Sequence, residues 1–334
     1  MAFSTCVSAQ KQVNSQDSIR SFYNAVFAAL KKKYLLKKEV NWTIVEAETQ
    51  KALGKYTTFG QSLNEIGPLF DKIKAGHCGI YLNDVKYTST AKISGKTNYT
   101  AQWKKKYATN PEFEVSLLEQ KYGYILMPKI IFFDVSAENI GKVAQPLYDQ
   151  IEDLKSKNEI EGWIIDLRLN TGGNSMPMVL ALYDFLGDNI IGGVLDAQKK
   201  QQSIMRLKQG KYIDQSKSIP QIQTRGKLLD QMKVAVLTGN FTASAGEVVA
   251  LAFKRRPNTI LIGGKTYGAT TSNIMWNLPF GATMALTTGY DCDRNGVYHE
   301  QIVPDILHSD SENFEQLPLD RSVVEAIHYF NEKK

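Results

Sequence analysis

A strand–helix–strand unit between Lys233 and Asn273 constrains the fold of this chain more than any other segment. It opens with Val234–Leu237, a β-branched run that is too short for a helix and typical of a buried strand. After a break at Gly239, small residues lead into Glu247–Phe253, an apolar segment with helical spacing. A second strand, Thr259–Ile262, follows. This order of elements predicts an α/β core with parallel strands.

Ser244 lies between the first strand of this unit and its helix. The main-chain N–H groups that follow it have no intrahelical acceptors, so they could stabilise an oxyanion beside a nucleophile at this position. The same residues also fit a capping box, in which Ser244 and Glu247 satisfy the first turn of the helix. The local pattern by itself favours the cap, and the two interpretations are compatible.

The rest of the chain predicts a helical region followed by alternating strands and helices. Residues 11–76 predict a small helical bundle, with Phe22, Val26 and Leu30 at steps of four on its first helix. Residues 77–334 predict an α/β core. Within it we predict strands at 79–82, 122–133, 162–167, 190–195, 274–278 and 283–288, helices at 137–157, 176–186 and 319–331, and polar segments without a clear period at 86–106 and 196–230.

Composition argues against several classes of function. The net charge is +6, but the basic residues are scattered, and the densest cluster, Lys31–Lys33 with Lys37 and Lys38, predicts a solvated helix face rather than a nucleic-acid site. No apolar run approaches the roughly 20 residues of a membrane span. The three cysteines and four histidines show no metal-ligand spacing. We therefore expect no nucleic-acid partner, no integral membrane span, no metal and no cofactor.

The first ten residues are small and weakly apolar. Val7–Ala9 has the small residues of a signal cleavage site, although the apolar segment before it is short. Residues 1–10 could be the remnant of an export signal, with Cys6 as a lipid-attachment residue, or an ordinary disordered end. We expect an exported protein of the cell envelope, the periplasm or the exterior, with a cytoplasmic location as the alternative.

A second strand–turn–helix segment, Gly162–Asn174, contains the paired glycines Gly172 and Gly173. Glycines after a strand allow a ligand to approach the backbone closely and permit positive φ angles. A purely structural turn would use the same residues. A nucleotide-binding loop is disfavoured because neither of the two common phosphate-binding motifs is present.

Taken together and in order, DLRLNTGG, TASAGE, GGKTYG and IVPDI resemble motifs of the C-terminal processing (tail-specific) serine proteases, a family that also contains the tricorn protease and the interphotoreceptor retinoid-binding protein. The resemblance covers about residues 76–310. It implies a crotonase- or ClpP-like α/β core with a parallel-rich sheet and flanking helices. It also implies Ser244 as the nucleophile, with an oxyanion hole formed by the N–H groups of Ala245 and of Gly172 or Gly173.

The general base departs from the processing-protease pattern, in which GEKTFGKG supplies a lysine and a glutamine follows four residues later. Here GGKTYGAT puts Ala269 at the lysine position and Asn273 at the glutamine position, and Lys265 matches a lysine outside that pair. The segment Ala75–Tyr81 resembles the DGHTGIY-type segment of the family's histidine-using branch, which implies His77 as the base. An unperturbed imidazole pKa of about 6.5 suits that role.

The resemblance also offers a group that could orient His77. Tricorn-like members carry a glutamate shortly before the last motif, which makes Glu300 the candidate, with an exposed loop carboxylate as the alternative. Asp305 is expected to brace its loop. Between His77 and Tyr122 the chain is too short for the peptide-binding PDZ domain that processing proteases insert there.

These features predict a PDZ-less serine peptidase that acts on a peptide or protein substrate through an acyl-enzyme. Two alternatives remain in other classes of function. One is an inactive family member that binds a peptide or hydrophobic ligand. The other is an acyl-CoA enzyme in which the paired glycines polarise a thioester.

Overall fold

The computed structural model describes residues 15–91, 99–215, 218–308 and 312–332 of the 334-residue chain. The chain forms two compact units. The N-terminal unit is Met1–Lys92 with Asn273–Thr288, and the core unit is Ile93–Ser272 with Gly289–Lys334. Residues 1–10, on which the expectation of export rests, and Cys6 among them, lie outside the described residues.

Helices and strands follow one another along both units. The helices are α1 (Ser15–Lys33), α2 (Trp42–Leu53), α3 (Phe59–Ser62), α4 (Ile66–Lys72), α5 (Ala101–Ala108), α6 (Ala137–Lys157), α7 (Ser175–Ala181), α8 (Tyr183–Leu186), α9 (Ala245–Phe253) and α10 (Arg321–Asn331). The strands are β1 (Gly79–Leu82), β2 (Val85–Thr88), β3 (Glu114–Leu118), β4 (Tyr122–Leu126), β5 (Gly162–Asp166), β6 (Ile190–Leu195), β7 (Gln201–Lys208), β8 (Lys211–Ile213), β9 (Val234–Thr238), β10 (Thr259–Gly263), β11 (Thr271–Asn277), β12 (Thr283–Cys292) and β13 (Ile306–Leu307). Short 3₁₀ turns lie at Leu63–Glu65, Pro279–Gly281 and Leu317–Leu319.

The N-terminal unit packs helices α1 to α4 with a small antiparallel sheet. The apolar stripe of α1 is buried, as its period predicted, and forms one core with α2, α4, β1 and β12. Strand β1 pairs antiparallel with β2 and with the first residues of β12. Residues 59–72 form α3, a 3₁₀ turn and α4 in place of one long helix, in a stretch where Gly60, Gly67 and Pro68 weaken a continuous helix.

The core unit is built on a six-stranded sheet in the order β13-β10-β9-β5-β4-β3. Its strands are parallel except for β3, which runs antiparallel to β4. Side chains of β9 alternate between two clusters: Val234 and Val236 pack with α6, α7 and α9, whereas Ala235 and Leu237 pack with α5 and α10. The predicted parallel-rich sheet with flanking helices is therefore confirmed, since helices cover both of its faces.

A second group of strands in the core unit is antiparallel. Strand β6 pairs with β7 and with residues Tyr290–Cys292 of β12, and β7 pairs with β8. Strands β7 and β8 lie within residues 196–230, for which the sequence predicts only a polar segment without a clear period. The side chains of β7 are mostly exposed and polar, so hydrophobic runs in the sequence do not predict this strand.

Among the described residues, no helix combines the length and the apolar character needed to cross a membrane.

Candidate active site

Ser244 stands at the entrance of α9 in a backbone conformation that residues other than glycine rarely adopt. Its φ is 51° and its ψ is −111°, and its side chain is half-buried. Holding a residue in such a region costs on the order of 1–3 kcal/mol, and strain of this kind clusters at functional sites. A strained turn between a strand and a helix also presents the nucleophilic serine of many hydrolases, because the turn projects the hydroxyl outward.

The carboxylate of Glu247 holds this turn in place. Its Oε2 accepts the main-chain N–H of Ser244 at 2.9 Å and that of Ala269 at 2.7 Å. Its Oε1 accepts the hydroxyl of Thr266 at 2.5 Å and the N–H of Gly268 at 2.7 Å. Burial raises the pKa of Glu247, although these hydrogen bonds oppose the shift. The glutamate arm of the capping box is thus present, and it also ties the serine turn to the 266–269 loop.

The turn at Gly172 and Gly173 approaches the side chain of Ser244. A Cβ atom built on Gly172 would lie 3.2 Å from the Ser244 Cβ and 3.7 Å from its Oγ. Gly172 is buried, and its N–H donates to the Asn170 Oδ1 at 3.1 Å. Gly173 is exposed with a φ of 104°, and the hydrogen bonds found among the described residues include none from its N–H. Of the two glycines, Gly173 is therefore the one whose N–H has no hydrogen-bond acceptor among the described residues.

Asn170, which the sequence analysis did not single out, connects the two turns. Its main-chain carbonyl accepts the N–H of Ala243 at 2.9 Å, and its side-chain amide donates to the carbonyl of Met127 at 3.1 Å. The side chain is fully buried. A polar residue four positions after the end of a buried strand is the signal that could have identified it, because buried amides need hydrogen-bond partners.

Ala245 is the first residue of α9 and is almost fully buried. The N–H groups of a first helical turn have no intrahelical acceptor, and they lie at the positive end of the helix dipole. Because Ala243, two residues earlier, is bonded to Asn170, the start of α9 and the glycine turn are held against each other. The core unit therefore places a strained serine, a helix N-terminus and a glycine turn side by side.

His77 lies in the N-terminal unit, in the loop between α4 and β1, and is half-buried. Its main-chain carbonyl accepts a hydrogen bond from the Asn273 Nδ2 at 3.1 Å. The next residue, Cys78, is buried and lies 3.4 Å from both the hydroxyl and the N–H of Thr287. These contacts define the course of the main chain at His77 within its own unit.

Glu300 lies in the core unit with its side chain exposed. No hydrogen bond or ion pair of its carboxylate is found within the described ranges. Its negative charge acts on Lys199, whose Nζ lies 3.2 Å from the ring centroid of Tyr298. Burial lowers the pKa of Lys199, and the charge of Glu300 opposes that shift. Asp305 connects its loop to strand β10, because it exchanges hydrogen bonds with the main chain of Leu261.

Two buried aspartates lie at the end of β12. Burial and the negative charge of Glu247 raise the pKa of Asp291 to about 7. Burial also acts on Asp293, but hydrogen bonds from the ring of His299 and from two main-chain N–H groups lower the pKa of Asp293. His299 donates to it at 2.9 Å and thereby stabilises the turn after β12. In the described part of the chain, no three histidine, cysteine or acidic residues are grouped so as to hold a metal ion.

Comparison with known proteins identifies relatives of this chain. Over 158 residues the chain is 34% identical to the nisin-resistance protein of Lactococcus lactis subsp. lactis, a match that covers 47% of this chain and 49% of that protein. Over 198 residues it is 26% identical to the carboxy-terminal processing protease CtpA of Bacillus subtilis, covering 56% of this chain and 39% of that protein. The chain thus spans about half or less of the length of these curated relatives.

A solved structure has a similar fold, and part of the sequence matches a protein family. A lipoprotein from Streptococcus agalactiae superposes with a TM-score of 0.66 at 23% identity, over 86% of this chain and 91% of that chain. Residues 121–308 match the model of peptidase family S41. Since that match extends over more than half of the sequence, this protein belongs to peptidase family S41.

Proposed function

We propose that this protein is a serine peptidase that hydrolyses peptide bonds through an acyl-enzyme on Ser244. The observation that carries the proposal is the strained backbone of Ser244 at the start of α9, beside the turn at Gly172 and Gly173. A structural cap alone gives no reason for the strain, because capping residues ordinarily adopt an extended backbone. Membership of a peptidase family supports the same class of reaction.

The reaction follows the chemistry of serine hydrolases. The Ser244 Oγ attacks the carbonyl carbon of the scissile bond while the imidazole of His77 takes up the hydroxyl proton. The resulting oxyanion accepts hydrogen bonds from the N–H groups of Ala245 and Gly173. Collapse of this intermediate breaks the C–N bond, and His77 passes its proton to the leaving amine. A water molecule, deprotonated by His77, then hydrolyses the ester and restores Ser244.

His77 is proposed as the base because of its motif and because imidazole titrates near neutral pH. The lysine position of the processing proteases is occupied by Ala269, which is buried and has no side-chain proton to exchange. Glu300 is the candidate to orient His77. Its exposed carboxylate supports a smaller contribution than a buried one would make, since solvent screens its charge. We expect Glu300→Gln to lower the rate less than His77→Ala does.

The proposed substrates are peptides or unfolded proteins, and the proposed location is outside the cytoplasm. The Lactococcus relative is named for resistance to nisin, so nisin is one substrate to test. Export rests on the N-terminal segment with Val7–Ala9 and Cys6. Fractionation of cells that produce the full-length protein tests this part separately, and recovery only in the cytoplasm would contradict it.

The direct test compares Ser244→Ala with wild type in hydrolysis of casein and nisin, followed by mass spectrometry. The matched control is Ser156→Ala, which removes an exposed hydroxyl on α6. We expect the Ser244 variant to lose at least about 1000-fold in rate with an unchanged circular dichroism spectrum, and the control to retain full activity. Full hydrolysis by Ser244→Ala would refute the assignment. Tight peptide binding without turnover by wild type would favour a ligand-binding role, and specific binding of CoA would favour acyl-CoA chemistry.

A further inference from the structure

The loop that carries His77 is held by a closed set of side-chain hydrogen bonds inside the N-terminal unit. The Asn273 Nδ2, on β11, donates to the main-chain carbonyl of His77 at 3.1 Å. The Thr287 hydroxyl, on β12, donates to the Asn273 Oδ1 at 2.7 Å. The Cys78 thiol donates to the Thr287 hydroxyl at 3.4 Å, and the Thr287 N–H donates back to the Cys78 sulfur at 3.4 Å. The set closes because His77 and Cys78 are neighbours in the chain.

The direction of each hydrogen bond in this set is determined by its partners. A main-chain carbonyl can only accept, so the amide nitrogen of Asn273 must face His77, and its oxygen is left for Thr287. The Thr287 hydroxyl uses its single proton on Asn273 and can only accept from Cys78. Burial raises the pKa of the Cys78 thiol, which keeps its proton in place at neutral pH. Every donor in the set thus has one acceptor.

The set is anchored on both sides. Cys78 is 1% exposed and Thr287 is 5% exposed, so water does not readily replace their contacts. The carbonyl of Thr287 also accepts the N–H of Leu35 at 2.9 Å, which fixes this part of β12 to the segment after α1. Asn273 joins this anchored pair to the His77 carbonyl through side-chain hydrogen bonds.

We propose that Asn273 is a positioning residue for the general base: its amide fixes the peptide plane after His77 and thereby the direction in which the imidazole leaves the backbone. This inference rests on the proposed function, in which His77 exchanges a proton with Ser244. Misplacing a reacting group by about 1 Å can cost about 100-fold in rate. Asn273 touches neither substrate nor reacting atoms in this scheme, and it acts only through the main chain of His77.

Two substitutions distinguish the contribution of the Asn273 amide N–H from that of its oxygen. Asn273→Asp keeps the shape and the oxygen that accepts from Thr287, but it replaces the N–H donor with a second oxygen facing the His77 carbonyl. Asn273→Ala removes both contacts. The matched control is Val45→Ala in α2, which loosens the core of the same unit and removes none of the hydrogen bonds around His77. The readout is the second-order rate of labelling by a fluorophosphonate probe between pH 5 and 9, with kcat and KM measured on casein fragments.

Both Asn273 variants should label about 10- to 100-fold more slowly than wild type, with kcat reduced and KM nearly unchanged. Val45→Ala should label at the wild-type rate at a temperature where it is folded. In a His77→Ala background, Asn273→Asp should have less than a twofold further effect, because the group that it positions is gone. Wild-type labelling by Asn273→Asp, or an equal loss with and without His77, would overturn the inference. Failure of the proposed function would give a different result, because Ser244→Ala would then be labelled at the wild-type rate.

Discussion

The main-chain N–H of Ser244 donates to the Glu247 Oε2 at 2.9 Å, so the residue with the strained backbone is held by the side chain three positions after it. The same carboxylate also accepts hydrogen bonds from the 266–269 loop. A buried acceptor that satisfies four donors offsets part of the cost of the strain, and it stops the turn from relaxing into an ordinary helix start.

Glu247→Gln should damage both stability and activity. The amide NH₂ of glutamine would face two N–H or O–H donors whichever way it is turned, and unsatisfied buried donors cost about 1–3 kcal/mol each. We expect a lower free energy of unfolding, measured by urea denaturation, and a fall of about 10- to 100-fold in the rate of serine labelling. The control is Glu138→Gln, which changes an exposed glutamate on α6. A Glu247→Gln variant with wild-type stability and rate would contradict this role.

Gly173→Ala should disrupt the turn that faces Ser244. The φ of Gly173 is 104°, and an added Cβ would lie 2.0 Å from the carbonyl oxygen of Ile130, so the backbone must move. Because its N–H is the proposed oxyanion donor, we expect a loss of about 100- to 1000-fold in kcat. Gly60→Ala is the control, since a Cβ there meets no atom within 4 Å. Unchanged kcat in Gly173→Ala with intact folding would exclude this donor.

Asp291 should make stability depend on pH. Its pKa in the folded chain is raised to about 7, above its ordinary value, so the folded state favours the protonated form. This contribution to stability is present in full below about pH 4 and is lost as the pH rises toward and through 7, and it amounts to on the order of 4 kcal/mol. Urea denaturation from pH 4 to 8 should therefore show a decline that Asp291→Asn removes. An identical pH profile in the variant would show that the decline comes from other groups.

The sequence predicts elements well where hydrophobic periodicity is strong. The predicted bounds of α6 agree with the structure, as do those of β6. The polar stretch at 86–106 has no period that predicts the end of β2 or the start of α5. Trp103 is the one buried side chain of α5. A short element that buries a single side chain has no hydrophobic periodicity. The residues that pack against it are known only from the folded structure.

In the candidate site, too, local sequence patterns predict some residues, and the folded structure alone reveals others. Ser244 and the paired glycines follow buried strands, so their place at the carboxyl edge of a parallel sheet could be inferred. The sequence predicts only a local capping role for Glu247, because the other donors to its carboxylate lie about twenty residues farther along the chain. The sequence marks Asn273 only as a departure from the processing-protease motif, because its contact with His77 spans 196 positions in sequence. Long-range hydrogen bonds of this kind leave no local pattern.

The central claim is that the Ser244 hydroxyl is activated for nucleophilic attack. The most direct measurement is covalent labelling of the full-length protein with a fluorophosphonate probe, followed by peptide mapping of the modified residue. We predict a single adduct on Ser244, absent from Ser244→Ala and formed at least about 100-fold more slowly in His77→Ala. An adduct on another residue, or labelling of Ser244 at the same rate without His77, would contradict the account.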